Sequence, residues 1–237
     1  LMTPVEGFNP AMGVPAPFDS DGAWQRRMGE SVVDAAAALA ALDLDTVGLT
    51  DLGRWEGWAD RQVGRWRRQL ESYSSLDGYG GPDIPGVDDV GRWLDERRPT
   101  DLRPGLVHGD LHLGNVLVRR EVPTVAALVD WELATVGDPL LDLGHLLATW
   151  PTGEGVSIGA ALPGLPGRDE VIDRYASATG RSMRDVAWFR VLACYRLGLI
   201  LEGTHARACA GLAPRATGDL LHAHTVSLFE QALNLIA

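Results

Sequence analysis

Residues 108–115 read HGDLHLGN, and a Val- and Ala-rich run further on ends at Asp130. A carboxylate and an amide in one loop, with a second carboxylate at the end of a strand, are groups that phosphoryl transfer uses. That reaction needs a carboxylate to orient and deprotonate an attacking hydroxyl. It also needs oxygen ligands for Mg²⁺, which favours carboxylate and amide oxygens in octahedral geometry. Asp110 suits the first role, and Asn115 and Asp130 suit the second. A single Asp in a Gly-containing turn usually serves only local backbone. The joint pattern of His108, Asp110, Asn115, Asp130 and Asp142 is more demanding, because its requirements are coupled.

The elements that must position these groups follow from hydrophobic patterning. The runs NVLVRR and TVAALVD, separated by EVP, predict an antiparallel hairpin with the polar loop before it and Asp130 at its far end. Hairpin geometry brings the loop and Asp130 back near each other. Upstream, Ser20 and Asp21 offer an N-cap to an Ala-rich helix over about residues 23–42, with Met28, Val32, Ala35, Leu39 and Leu42 as its buried stripe. A second helix, about 58–73, places Ala59, Val63, Trp66, Leu70 and Tyr73 on one face and Arg61, Arg65 and Arg68 on a solvated one. A short helix over about 87–97 is closed by two prolines. From DPLLDLGHLLATW onward the chain reads as helices over about 139–149, 169–179, 184–211 and 217–236, the second of them stopped by Gly180.

Bulk properties narrow the function classes. The 237 residues are 46% hydrophobic and 22% charged, as in an ordinary folded chain, and carry a formal net charge of −11. That balance disfavours nucleic acid and anionic membrane, both of which attract a positive field. No apolar run approaches the ~20 residues that cross a bilayer. Cys194 and Cys209 fall on one helix, roughly 22 Å apart at 1.5 Å per residue, and cannot bridge each other. A reducing cytoplasm is the expected compartment. His112 is expected to add surface polarity. His145, His205, His222 and His224 are expected to be solvated or capping, since two residues two apart on a helix, such as His222 and His224, face different ways.

HGDLHLGNVLV followed by VDWELATVGDPLLDLG resembles the aminoglycoside phosphotransferase and choline kinase superfamily, whose fold is that of protein kinases. The likeness is closer to the subgroup associated with acyl-CoA dehydrogenases, through ADRQVGRWRRQLESY, DWELATVGDPLLDLG and the tail from RYASATG to VLACYRLGLILEG, and it covers nearly all of the chain. It implies an α+β, predominantly helical fold: a kinase-like large lobe with a small β-hairpin carrying the catalytic loop. It further implies ATP and Mg²⁺ as cofactors and a small-molecule hydroxyl as acceptor. Asp110 would be the catalytic base, Asn115 a Mg²⁺ ligand, and Asp130 a bridge between Mg²⁺ and the nucleotide phosphates. His108 would brace the loop, and Asp142 would accept its backbone hydrogen bonds. Glu132 would stand behind the metal or on the substrate side. Glu202 would line an acceptor pocket on the long helix, among Trp188, Phe189 and Tyr195 as core.

The same likeness points to parts that these residues do not contain. Kinase-like enzymes carry a smaller lobe with a glycine-rich flap and a strand lysine that pairs with the phosphates. All 21 basic residues here are Arg. LMTPVEG resembles the hinge strand, so residues 1–8 are expected to be a hinge remnant and 9–237 the large lobe, with a catalytic core over about 100–150 and acceptor-site helices over about 20–75 and 168–237. Backbone groups of Met2, Thr3 and Val5 would then face adenine. A truncated chain, a small lobe on a separate chain, and a decayed relative would each account for this. Truncation is expected, because the loop residues are intact. The uncovered apolar surface predicts marginal stability or self-association. The acceptor is expected to be a hydroxyacyl group or its CoA thioester, or an aminoglycoside-like molecule. The rival is a non-catalytic binding or scaffold module built from a kinase large lobe.

Overall fold

The computed structural model describes residues 4–151 and 156–237. In chain order the elements are α1 (Gly22–Ala40), α2 (Leu44–Val47), α3 (Gln62–Ser72), α4 (Val87–Glu96), β1 (Gly105–Val107), β2 (Val116–Val118), β3 (Val125–Leu128), β4 (Thr135–Gly137), α5 (Leu140–Thr149), α6 (Arg168–Thr179), α7 (Val186–Cys209) and α8 (Arg215–Ile236). The fold is α+β and mostly helical. Among the described residues no helix is long and apolar enough to cross a membrane.

The chain forms two compact units, Leu1–Trp55 with Leu102–Val186 and Glu56–Asp101 with Ala187–Ala237. This partition cuts across the sequence-based grouping of acceptor-site helices: α1 and α6 pack together in the unit that holds the polar loop. Arg174 clasps Asp34 through two 2.7 Å bonds, and Arg26 reaches Glu170 at 2.6 Å. These pairs are largely exposed and contribute little next to burial of Met28, Val32, Val33 and Val171. Helix α1 stops at Ala40, and Asp43 then caps α2 by accepting from the Thr46 N–H. Leu42 therefore lies between helices and is 40% exposed, not part of the buried stripe.

Two small antiparallel sheets flank the loop. β2 and β3 form the expected hairpin, with Val116 opposite Leu128 and Leu117 opposite Ala127. β1 pairs with β4, Leu106 opposite Val136, a strand that three residues between turns did not announce. Phe8 adds an isolated bridge to Val118, which is the strand pairing found in the described part of the expected hinge segment. Helix α5 is buried at all ten positions. Its sequence, LLDLGHLLAT, is apolar on nearly every side, as a helix enclosed by its own unit must be. Asp142, His145 and the terminal Thr149 are its polar exceptions, the first two one turn apart on the same face.

In the second unit, α3 buries Val63, Trp66 and Leu70, while Arg65 and Arg68 are exposed. α7 and α8 approach closely. A Cβ on Gly198 would stand 2.7 Å from the Phe229 ring, and the Thr225 hydroxyl donates to the Gly198 carbonyl at 2.9 Å. Neither cysteine of α7 is in a disulfide; Cys194 is buried and Cys209 half-buried.

Candidate active site

The loop between β1 and β2 is held from below by α5. Asp142, 2% exposed, accepts the His108 N–H at 2.7 Å through Oδ2 and the Gly109 N–H at 2.9 Å through Oδ1. Charged acceptors make the stronger class of hydrogen bond, and these two fix the backbone just ahead of Asp110. Gly109 has φ +86°, and a Cβ there would collide with the Leu133 carbonyl. Glycine alone meets both conditions.

His108 is fully buried. Its Nε2 lies 2.9 Å from the Val129 carbonyl, its Nδ1 accepts the Asp110 N–H at 3.3 Å, and its ring packs 4.6 Å from that of Trp131. A carbonyl can only accept, so the bonds fit the tautomer with the proton on Nε2. The ring thereby links the loop to the end of β3 and has no nitrogen left for proton transfer.

Asp110 sits at the centre, its side chain 25% exposed. Asn115 Nδ2 donates to its backbone carbonyl at 2.8 Å and to its Oδ2 at 2.9 Å. His112 Nε2 lies 3.4 Å from Oδ2, and His145 Nε2 lies 3.3 Å from Oδ1. Burial pushes the Asp110 carboxyl up. The His112 hydrogen bond, the charges of His145 and His112 and the Asn115 amide outweigh burial and hold it well below the usual carboxylate range.

The two histidines correct the sequence reading. His112 is not a surface group: its side chain is 14% exposed, and Nδ1 accepts the Gly114 N–H at 3.0 Å while Nε2 turns to Asp110. His145 is neither solvated nor capping but 2% exposed on α5. The signal for His145 was its one-turn spacing from Asp142, which puts both on the loop-facing side of α5.

Asn115 commits its amide nitrogen to Asp110, so Oδ1 is the atom it can present to a cation. The Val129 N–H donates to the Asn115 carbonyl at 3.0 Å, extending the hairpin so that Asp130 emerges beside the loop. Asp130 has φ +67°, the one positive value at a non-glycine among the described residues. Holding an L-residue in this region costs about 1–2 kcal/mol, and Asp tolerates it better than most. Its carboxylate is exposed and makes no hydrogen bond or ion pair among the described residues. An amide oxygen and a carboxylate are hard-oxygen donors of the kind Mg²⁺ takes.

The remaining sequence candidates fall elsewhere. Glu132 is exposed in the turn after Asp130, and Val5 is 46% exposed. Met2 and Thr3 lie outside the described residues. Glu202 belongs to the second unit and is fully buried. Its Oε1 accepts from the Tyr79 hydroxyl at 2.8 Å and its Oε2 is 2.8 Å from His222 Nδ1. With both oxygens engaged inside the unit, it presents no surface to an acceptor.

Asp138, which sequence reasoning passed over, anchors the other end of the same motif. Fully buried, it takes a two-pronged contact from Arg181 at 2.6 and 3.0 Å and accepts the Arg103 and Leu140 N–H groups at 2.9 Å each. Its partner comes from a distant loop, so spacing gave no sign of it.

Residues 17–189 match the model of the phosphotransferase enzyme family, abbreviated APH. The chain belongs to that family. Relatives of this APH chain include acyl-CoA dehydrogenase family member 11 of Rattus norvegicus, 32% identical over 190 residues, which spans 76% of this chain and 24% of that one. The same-named Gallus gallus protein is 29% identical over 214 residues, 86% of this chain and 27% of that one. The APH chain thus spans about a quarter of the length of these curated relatives. Among solved structures, a Ralstonia eutropha protein designated a candidate aminoglycoside phosphotransferase superposes with a TM-score of 0.79 at 25% identity, covering 99% of this chain and 71% of that one. The Streptomyces rimosus aminoglycoside phosphotransferase in complex with ADP and streptomycin shares the fold, with a TM-score of 0.55 at 18% identity over 81% of this chain and 68% of that one.

Proposed function

We propose that the chain is the catalytic and acceptor-side part of an ATP- and Mg²⁺-dependent phosphotransferase acting on a small-molecule hydroxyl. The observation that carries this reading is the Asp110 carboxylate, kept ionised by His112, His145 and Asn115 while a quarter of its side chain remains open. Asp110 would accept a hydrogen bond from the acceptor hydroxyl and align its oxygen for in-line attack on the terminal phosphorus. A carboxylate with so depressed a pKa is a weak base. It works first by orientation, and it takes the proton once the new P–O bond makes the hydroxyl acidic. The bond from that phosphorus to the departing diphosphate breaks as the new one forms.

Asn115 Oδ1 and the Asp130 carboxylate would hold Mg²⁺, which when bound offsets negative charge on the phosphates. His108 and Asp142 keep the loop in shape. Glu132, exposed beyond Asp130, would stand behind the metal or on the substrate side, and backbone groups at Met2, Thr3 and Val5 would meet adenine.

Two acceptor classes have support. Relatives named as acyl-CoA dehydrogenase family members favour a hydroxyacyl group or its CoA thioester. The streptomycin complex of a protein with this fold favours an aminoglycoside-like molecule. The test is ADP release by the full-length protein across hydroxy acids, hydroxyacyl-CoAs and aminoglycosides, with Asp110→Ala beside wild type. Turnover retained in the variant, or phosphate release independent of any acceptor, would reject the assignment.

A further inference from the structure

A second carboxylate with two imidazoles lies in the other unit. Glu202 and His205 are one turn apart on α7, and His222 projects from α8. One donor atom from each lies within 4.8 Å of the other two. Donors on a tetrahedral zinc with bonds of about 2.0 Å stand about 3.3 Å apart, so closing on an ion takes side-chain movements of about an ångström. We propose that Glu202, His205 and His222 bind one Zn²⁺ ion that ties α7 to α8.

Three observations support an ion over a plain hydrogen-bonded network. First, Tyr79, Glu202 and His222 already satisfy one another, which leaves His205 surplus, yet its ring stacks on that of His222 at 4.6 Å and 29°. Second, His205 Nδ1 faces the Asp219 carboxylate at 3.6 Å, which leaves Nε2 as the nitrogen for an ion. Third, a further donor is at hand, since Cys209 Sγ lies 3.6 Å from His205 Nε2 one turn along α7.

The outer partners fit as well. Tyr79 donates to Glu202 Oε1 at 2.8 Å, so Oε2, which lies 2.8 Å from His222 Nδ1, is the oxygen that would turn to the metal. Asp219 faces the His205 ring, the carboxylate–histidine arrangement that orients metal-bound imidazoles. Two nitrogens and a carboxylate select a borderline metal such as Zn²⁺ over Mg²⁺ or Ca²⁺, which take oxygen. The side chains are 0%, 14% and 25% exposed for Glu202, His205 and His222, so the site is enclosed but open at one edge. The role is a structural staple, and it is independent of the phosphotransfer reading.

The full-length protein, purified without a histidine tag and stripped with chelator, should be titrated with Co²⁺. The expected result is visible d–d absorption of a tetrahedral site, bleached by Zn²⁺, together with a higher melting temperature on Zn²⁺ addition. His205→Asn and His222→Gln should each weaken binding by more than the ~10–100-fold that outer partners alone carry. His145→Gln, which alters the Asp110 cluster, should leave the spectrum intact. Absence of tetrahedral absorption in wild type overturns the proposal whatever the variants do. So does a spectrum that survives both His205→Asn and His222→Gln, or one lost with His145→Gln instead.

Discussion

Asp110 with His112 and His145, and Glu202 with His205 and His222, are built from the same three groups, yet the chain holds them in different ways. Asp110 sits on a loop whose backbone is pinned by Asp142, beside a left-handed Gly109 and close to a left-handed Asp130, and its carboxylate keeps one side open. Glu202 sits mid-helix in regular backbone, fully enclosed, with both oxygens committed. Side-chain identity alone does not separate the proposed reactive centre from the proposed internal tie. Backbone strain and residual exposure distinguish them: the Asp110 oxygens have polar neighbours, yet a quarter of the side chain stays open to an incoming molecule, whereas Glu202 is enclosed.

The largest effect that could break this contrast is on turnover. Asp110→Ala should cost ~10²–10⁴-fold in kcat while sparing nucleotide affinity. A variant that unfolds but turns over when rescued would place Asp110 in the fold and not in the chemistry. Next comes the frame beneath it. Asp142→Asn keeps one acceptor and aims an amide N–H at a backbone donor, which should destabilise the first unit by ~2–3 kcal/mol and lower kcat as the loop loosens. Urea titration and steady-state rates report the two parts. Glu202→Gln should cost a comparable or smaller ~1–3 kcal/mol, through the lost His222 contact, with kcat per folded molecule unchanged. A selective loss of kcat there would erase the contrast.

The smallest effect is on pH dependence. The folded-state pKa of Asp110 lies below its unfolded value of ~3.9, so its contribution to stability is complete above that value and is lost as pH falls through the acid range. Asp110→Asn should therefore show a shallower fall in stability below about pH 4 than wild type. Matching acid-unfolding profiles would mean that His112 and His145 do not hold the carboxylate as their distances indicate.

Much of this was legible in the residues. Period-3.6 and period-2 patterning marked the long helices and the hairpin, since burial imposes it locally. β4 was not legible, because Thr135–Gly137 is too short to carry a pattern and exists through its pairing with β1. Nor was the Arg181 contact to Asp138, whose partners are 43 positions apart. His112 and His145 were misread for a related reason: a histidine has no preferred burial, so its surroundings decide what it does.

By itself, then, the sequence determined which groups were available: an Asp, an Asn and a second Asp at the spacing that the proposed phosphate chemistry would use, on elements set by short-range periodicity. The tertiary structure alone decided which of them meet. Helix α5 carries Asp142 and His145 up to a loop more than 30 positions earlier, and the α7 and α8 packing encloses Glu202 with two imidazoles. Spacing along the chain fixes the neighbours on one element, but contacts between elements depend on how buried faces fit together, and that fit is a property of the whole unit.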